Sequence, residues 1–157
     1  MKKILATCAL ALAASTSAYA AESKHPIGLG LMIGDPTGLS ARFNLSDKNA
    51  IHGYIEFIGK TLNAGGDFVY KFKGPEFVAP GRRSEIVPYV GGGLILASFS
   101  DEAGLGFRVP FGFKWLPKEI AQVEFFFELA PGVIFFGDEL RGGWGIFNIA
   151  LGAVYYF

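Results

Sequence analysis

Ser40, His52 and Glu56 are the residues of this chain from which nucleophilic catalysis would have to be built: a hydroxyl, an imidazole base and a carboxylate to orient it. Their spacing argues against that chemistry. On extended backbone at ~3.3 Å per residue, His52 and Glu56 stand about 13 Å apart on one strand. The hairpin registers open to the neighbouring strand put His52 across from Arg42 or Asn44. Ser40 is then at least one diagonal step away, roughly 7–8 Å, beyond hydrogen-bond reach. No triad follows, no catalytic or cofactor-binding residue is assigned, and the sequence reads as a non-enzyme. Metal chemistry is weaker still: with two histidines and the single cysteine at Cys8, no ligand spacing recurs, so no metal site or cofactor is expected.

A second group of residues does form a pattern. Arg42, Lys71, Arg108 and Lys114 stand against Glu56, Asp67, Glu124 and Glu128, four of each sign, all at positions that alternate with bulky apolar side chains. Charges taken out of bulk water need partners, so equal numbers are what a packed interior of ion pairs requires. What places them there is the periodicity of the chain. Glycine (22) and phenylalanine (16) are abundant, and polar turn clusters recur every 10 to 15 residues, which predicts an all-β meander. Eight strands are expected at 26–33, 39–45, 50–58, 62–72, 86–99, 105–116, 122–136 and 144–157. Successive side chains of a strand point to opposite faces. In the sixth, Phe107, Val109, Phe111, Phe113 and Trp115 oppose Arg108, Gly112 and Lys114; in the seventh, Val123, Phe125, Phe127 and Leu129 oppose Glu124, Phe126 and Glu128. Only the fifth is ambiguous, because Gly91-Gly92-Gly93 can carry a bulge.

The connections are short and polar. Asp35-Pro36-Thr37-Gly38 has the proline and glycine placement of a type I turn. Ser46–Asn49, Gly59–Thr61, Ser100–Gly104, Pro117–Glu119 and Gly137–Gly143 are further breaks, leaving little loop surface for a partner. The long connection 73–85 reads as a tether stiffened by proline and glycine, with Arg82 and Arg83 available for periplasmic contacts.

Met1-Lys2-Lys3, an apolar stretch from Ile4 to Ala14 and the exit Ala18-Tyr19-Ala20 predict a secretory signal peptide over 1–20. Its apolar run is shorter than a bilayer-spanning helix. The domain is then 21–157, without cysteine. Removing Lys2 and Lys3 leaves 12 basic residues against 14 acidic ones, a balance that offers nothing to nucleic acid. Mean hydropathy is positive, yet no later segment is an apolar run of helix-spanning length. The sequence thus predicts an eight-stranded antiparallel up-and-down transmembrane β-barrel of the outer membrane. With the amino terminus in the periplasm, Tyr70, Phe72, Phe113, Trp115, Tyr155 and Phe157 end the even strands on the outward face and form an interfacial girdle. Terminal Phe157, with Tyr155, Ala153 and Leu151 before it, looks like the signal read by the barrel assembly machinery.

Four runs resemble a family of small bacterial outer-membrane barrels first noted in spirochaetes: Gly28 to Ser40, Arg108-Val109-Pro110-Phe111-Gly112, Phe127-Glu128-Leu129-Ala130-Pro131-Gly132, and Asn148 to Phe157. The resemblance spans nearly the whole of 21–157 and implies the eight-stranded fold; it carries no catalytic residue, because family members are mostly uncharacterised. An interior of that size is filled by side chains. The expectation is a structural barrel, a monomer in outer-membrane lipid, with a narrow pore for ions or small solutes as the alternative. A soluble lipocalin-like barrel, its apolar row turned inward, is the second alternative.

Overall fold

The structure, a computed structural model, describes residues 26–57, 62–99, 102–136 and 143–157. The signal-peptide segment 1–20, the turn 59–61, residues 100–101 of the next turn and the turn residues 137–142 lie outside the described residues.

Ten strands form one antiparallel sheet: β1 (Ile27–Asp35), β2 (Gly38–Asn44), β3 (Asn49–Glu56), β4 (Asn63–Lys71), β5 (Glu76–Ala79), β6 (Arg82–Phe99), β7 (Glu102–Arg108), β8 (Phe111–Pro117), β9 (Val123–Phe136) and β10 (Gly143–Tyr156). β10 pairs back onto β1 from Gly28↔Tyr156 to Asp35↔Ile149, and the Phe157 N–H donates to the Ile27 carbonyl at 3.0 Å. The sheet is therefore a closed barrel with no open edge along its seam. β7 and β8 are two halves of one wall strand, and β5 lies outside the ring, so the wall has eight strands.

The sixth expected strand is interrupted because Pro110 has no N–H to give to the ladder. The register continues unchanged across the break: Gly93↔Arg108 and Val90↔Phe111 on β6, Arg108↔Gly132 and Phe111↔Leu129 on β9. The Val109 N–H still reaches the Pro131 carbonyl, and the Pro110 carbonyl accepts from Gly91, so the wall stays shut.

Two local expectations are corrected. The 73–85 connection is not an unpaired tether but a β-hairpin, with β5 paired to β6 from Glu76↔Glu85 to Ala79↔Arg82. Pro80 presets its φ, and Gly81, at φ +73°, occupies the left-handed region that glycine takes without a Cβ clash. Glu119, in the short 3-10 turn Lys118–Ile120, accepts the Arg83 N–H at 2.6 Å and braces the hairpin. Its own backbone N–H and that of Arg83 hold this exposed carboxyl below its usual range. The first turn is also displaced: it runs from Gly34 to Thr37, with Pro36 third, after a cis peptide, and not second. The Thr37 hydroxyl closes it, accepting the Gly34 N–H at 2.9 Å and donating to the Gly34 carbonyl at 2.6 Å.

Alternation holds through the wall, and its sense is definite. The row Ile27, Leu29, Leu31, Ile33 faces outward, with Leu31 64% and Ile33 73% exposed; so do Leu39, Phe68, Leu94, Phe107, Phe111 and Phe147 on other strands. The interior holds the charged rows together with Met32, Tyr54, Tyr89, Phe126, Val154 and Tyr156. The three glycines of β6 carry no bulge: the β4–β6 register runs unbroken from Asn63↔Ala97 to Lys71↔Tyr89.

Those glycines separate by facing. A Cβ on inward Gly93 would lie 2.1 Å from Asp67 Oδ1 and 2.4 Å from the Gly66 carbonyl oxygen; one on outward Gly92 would meet nothing within 4 Å. Gly93→Ala is expected to cost about 1–3 kcal/mol, as overpacking does, and Gly92→Ala to be near neutral. Urea unfolding of the two variants checks this; equal costs would deny the packed interior.

Candidate functional site: the charged interior

The centre of the barrel is organised on one cross-strand row. Register places Arg42 opposite His52, His52 opposite Asp67, Asp67 opposite Gly93 and Gly93 opposite Arg108. Because Gly93 has no side chain, Arg108 reaches across β6 to Asp67. Its Nε donates to Asp67 Oδ1 at 2.9 Å, and its Nη2 donates to Asp67 Oδ2 and, at 3.0 Å, to Glu128 Oε1. The fork of a guanidinium matches a carboxylate in this two-point geometry. The Tyr89 hydroxyl donates to Glu128 Oε2 at 2.8 Å, and the Arg108 guanidinium lies 4.3 Å from the Tyr54 ring centroid. His52, fully buried, packs edge-on to Tyr89 at 5.2 Å, with Nδ1 3.9 Å from Glu128 Oε2.

A second cluster lies nearer the end of the barrel where β1 begins and β10 finishes. Lys114 Nζ donates to Glu124 Oε2 at 3.1 Å, and the Tyr156 hydroxyl donates to the same oxygen at 2.7 Å. Arg42 Nε stands 3.8 Å from Glu124 Oε1, too long for a hydrogen bond but close enough for attraction, and its guanidinium covers the Phe126 ring at 4.4 Å. Arg42, Arg108, Lys114, Asp67, Glu124 and Glu128 are all buried, three charges of each sign. Breaking one member of either cluster leaves its partners charged and without water, so the three charges of each act together.

The other two charges of the expected set are not joined to these. Lys71 is half-buried near the same end of the barrel, donating at 3.0 Å to both the Asn44 side-chain oxygen and the Ser46 carbonyl. Glu56 is half-buried toward the opposite end and accepts a hydrogen bond from the Asn63 side chain. Three tyrosines complete the interior: Tyr54 and Tyr156 were readable as inward positions, whereas Tyr89 lies on the strand whose facing the sequence left ambiguous, and the roles of all three were not readable. Their phenols cap carboxylates or cover guanidinium groups contributed by strands distant in sequence.

Ser40, His52 and Glu56 are placed by the same register. His52 faces Arg42 while Ser40 faces Tyr54, so the serine is a diagonal step from the histidine. Ser40 Oγ and both His52 ring nitrogens are buried without a hydrogen-bond partner among the described residues.

Outside, the six aromatics Tyr70, Phe72, Phe113, Trp115, Tyr155 and Phe157 are all exposed on the outer wall. The pairings Tyr70↔Val90, Pro88↔Phe113, Ile86↔Trp115 and Val123↔Tyr155 put them at the end of the barrel where β1 begins and β10 finishes. Tyr70 packs on Phe72 at 5.1 Å, Tyr155 on Phe157 at 5.3 Å, and Trp115 stacks on Phe125 at 5.3 Å. Comparisons with protein-family models, with curated proteins and with solved structures found no match for this chain.

Proposed function

We propose that the protein is a structural barrel of the outer membrane whose lumen is closed by ion-paired side chains, with no catalytic site. The single observation that carries this reading is the inverted facing of the closed barrel: charges and tyrosines inside, large apolar side chains outside. Water gives no reason to expose a continuous belt of leucine, isoleucine and phenylalanine, whereas hydrocarbon does. A soluble barrel built around an apolar ligand cavity requires the opposite facing. The band of aromatics at one end supports an interfacial girdle, and with it a periplasmic position for that end. The same reading includes export by the 1–20 signal segment, recognition of terminal Phe157 by the assembly machinery, monomers in outer-membrane lipid and kinship with the small spirochaete-type barrels.

The closed lumen is the part most open to test. Planar-bilayer recording of the refolded protein should show no discrete conductance steps, while heat-modifiable migration on gels confirms a folded barrel. Steps that change in size when Glu124 and Glu128 are both replaced by Gln would instead establish a charged pore for ions or small solutes.

A further inference from the structure

A cavity of about 690 Å³ opens between Ser46, Lys48, Lys73 and Glu85 at the end of the barrel where β1 begins and β10 finishes, and it runs inward to Lys114, Glu124 and Tyr156. That is the size of a small-molecule site, and its inner end is the buried Lys114–Glu124 cluster. Its lining charges lean basic. Lys48, Lys71, Lys73 and Lys114 line it against Asp47, Glu85 and Glu124. Two of those acids are already engaged from outside the lining, Glu85 by Lys118 at 2.7 Å and Glu124 by Arg42. Glu124 is also paired with Lys114 at 3.1 Å, so among the lining charges Lys48, Lys71 and Lys73 stand against Asp47 alone.

Lys71 is the centre of the excess. Its ammonium is held between two uncharged oxygens, the Asn44 amide and the Ser46 carbonyl, so both contacts orient it and neither cancels its charge. An ammonium has three donors, and two are used here. From these observations we propose that the cavity is a blind vestibule that binds a small oxyanion of the phosphate class, with Lys71 as the principal ligand and the Lys48 and Lys73 ammoniums contributing field. The anion enters from that end of the barrel and stops at the ion-paired cluster, so binding requires no conduction and does not depend on the membrane reading.

The test is isothermal titration of the purified protein in a nonionic detergent, its fold checked by heat-modifiable migration, with inorganic phosphate and separately with dihexanoyl phosphatidic acid. Saturable binding is expected to weaken with added sodium chloride, as screening requires. Lys71→Gln should weaken it roughly fivefold or more, the loss of one charged contact, and Lys71→Arg should retain most of it. Glu56→Gln, toward the opposite end, should leave it unchanged. Binding of phosphate itself identifies a free anion as the ligand; binding of the lipid alone identifies a headgroup. Absence of saturable binding to either, or equal affinity in Lys71→Gln, overturns the proposal. Should that variant not fold, the side-chain ammonium resonance of Lys71 in the unsubstituted protein decides: it must move on phosphate addition, and a stationary signal rejects the site.

Discussion

Replacement of Arg108 by Met is expected to destabilise the barrel by about 3–5 kcal/mol, the cost of stripping a buried carboxylate of its cation. Two carboxylates are affected, because the same guanidinium serves Asp67 through its Nε and Nη2 and Glu128 through Nη2. Both acids are buried, at 1% and 3% exposure, so neither recovers water when the arginine is lost. Removing the orphaned charges as well, in Arg108→Met with Asp67→Asn and Glu128→Gln, should restore more than half of the loss. Desolvated charges are costly, and an uncharged interior of similar volume does not carry that cost. Urea unfolding in lipid vesicles, followed by tryptophan fluorescence, reads both values. A single substitution costing less than about 1 kcal/mol would mean that water reaches the pair and that the interior is not closed.

The second large effect belongs to the opposite face. Phe111 points outward, opposite Leu129 at the middle of β9 and Val90 on β6, halfway along the wall. In a bilayer, Phe111→Arg should cost roughly 2–4 kcal/mol, whereas Ile27→Arg, outward at the rim where β1 begins, should cost only about 0–1 kcal/mol. The gradient is the diagnostic quantity, because an arginine at the rim extends its guanidinium to the headgroups and one at mid-wall does not. The same vesicle unfolding measurement supplies it. Equal and small costs at the two positions would remove the bilayer from the account of the outer wall.

Much of this was legible in the chain itself. The period-two alternation is a property of extended backbone, so the residues that share a face followed from counting: Arg108 had to lie opposite Phe107 and Phe111, and Glu124 and Glu128 had to lie together. The eight wall strands followed from the recurrence of polar turns. Local exceptions went unread where a short-range signal competed with the pattern. Pro80-Gly81 is a hairpin turn that pairs two four-residue segments too short to look like strands, and Pro110 interrupts a ladder without disturbing its register. At 34–37 a threonine hydroxyl, and not the proline, closes the turn.

What alternation leaves open is the sense of the faces and the identity of partners. A row of apolar side chains facing a row of charges suits a soluble sheet and a membrane barrel equally, and only closure of β10 onto β1 turns one row inward. Partner choice needs the register of several strands at once. Arg108 and Asp67 are 41 residues apart and meet because Gly93 stands between them on β6. The register likewise delivered Lys71 to Asn44 and Ser46, although its charge and facing alone made an acid the expected partner. Composition and periodicity therefore determined that eight strands would carry one apolar and one charged face. The closed tertiary structure decided which face is the interior and which charges neutralise one another, because those depend on distances across the barrel that no local pattern encodes.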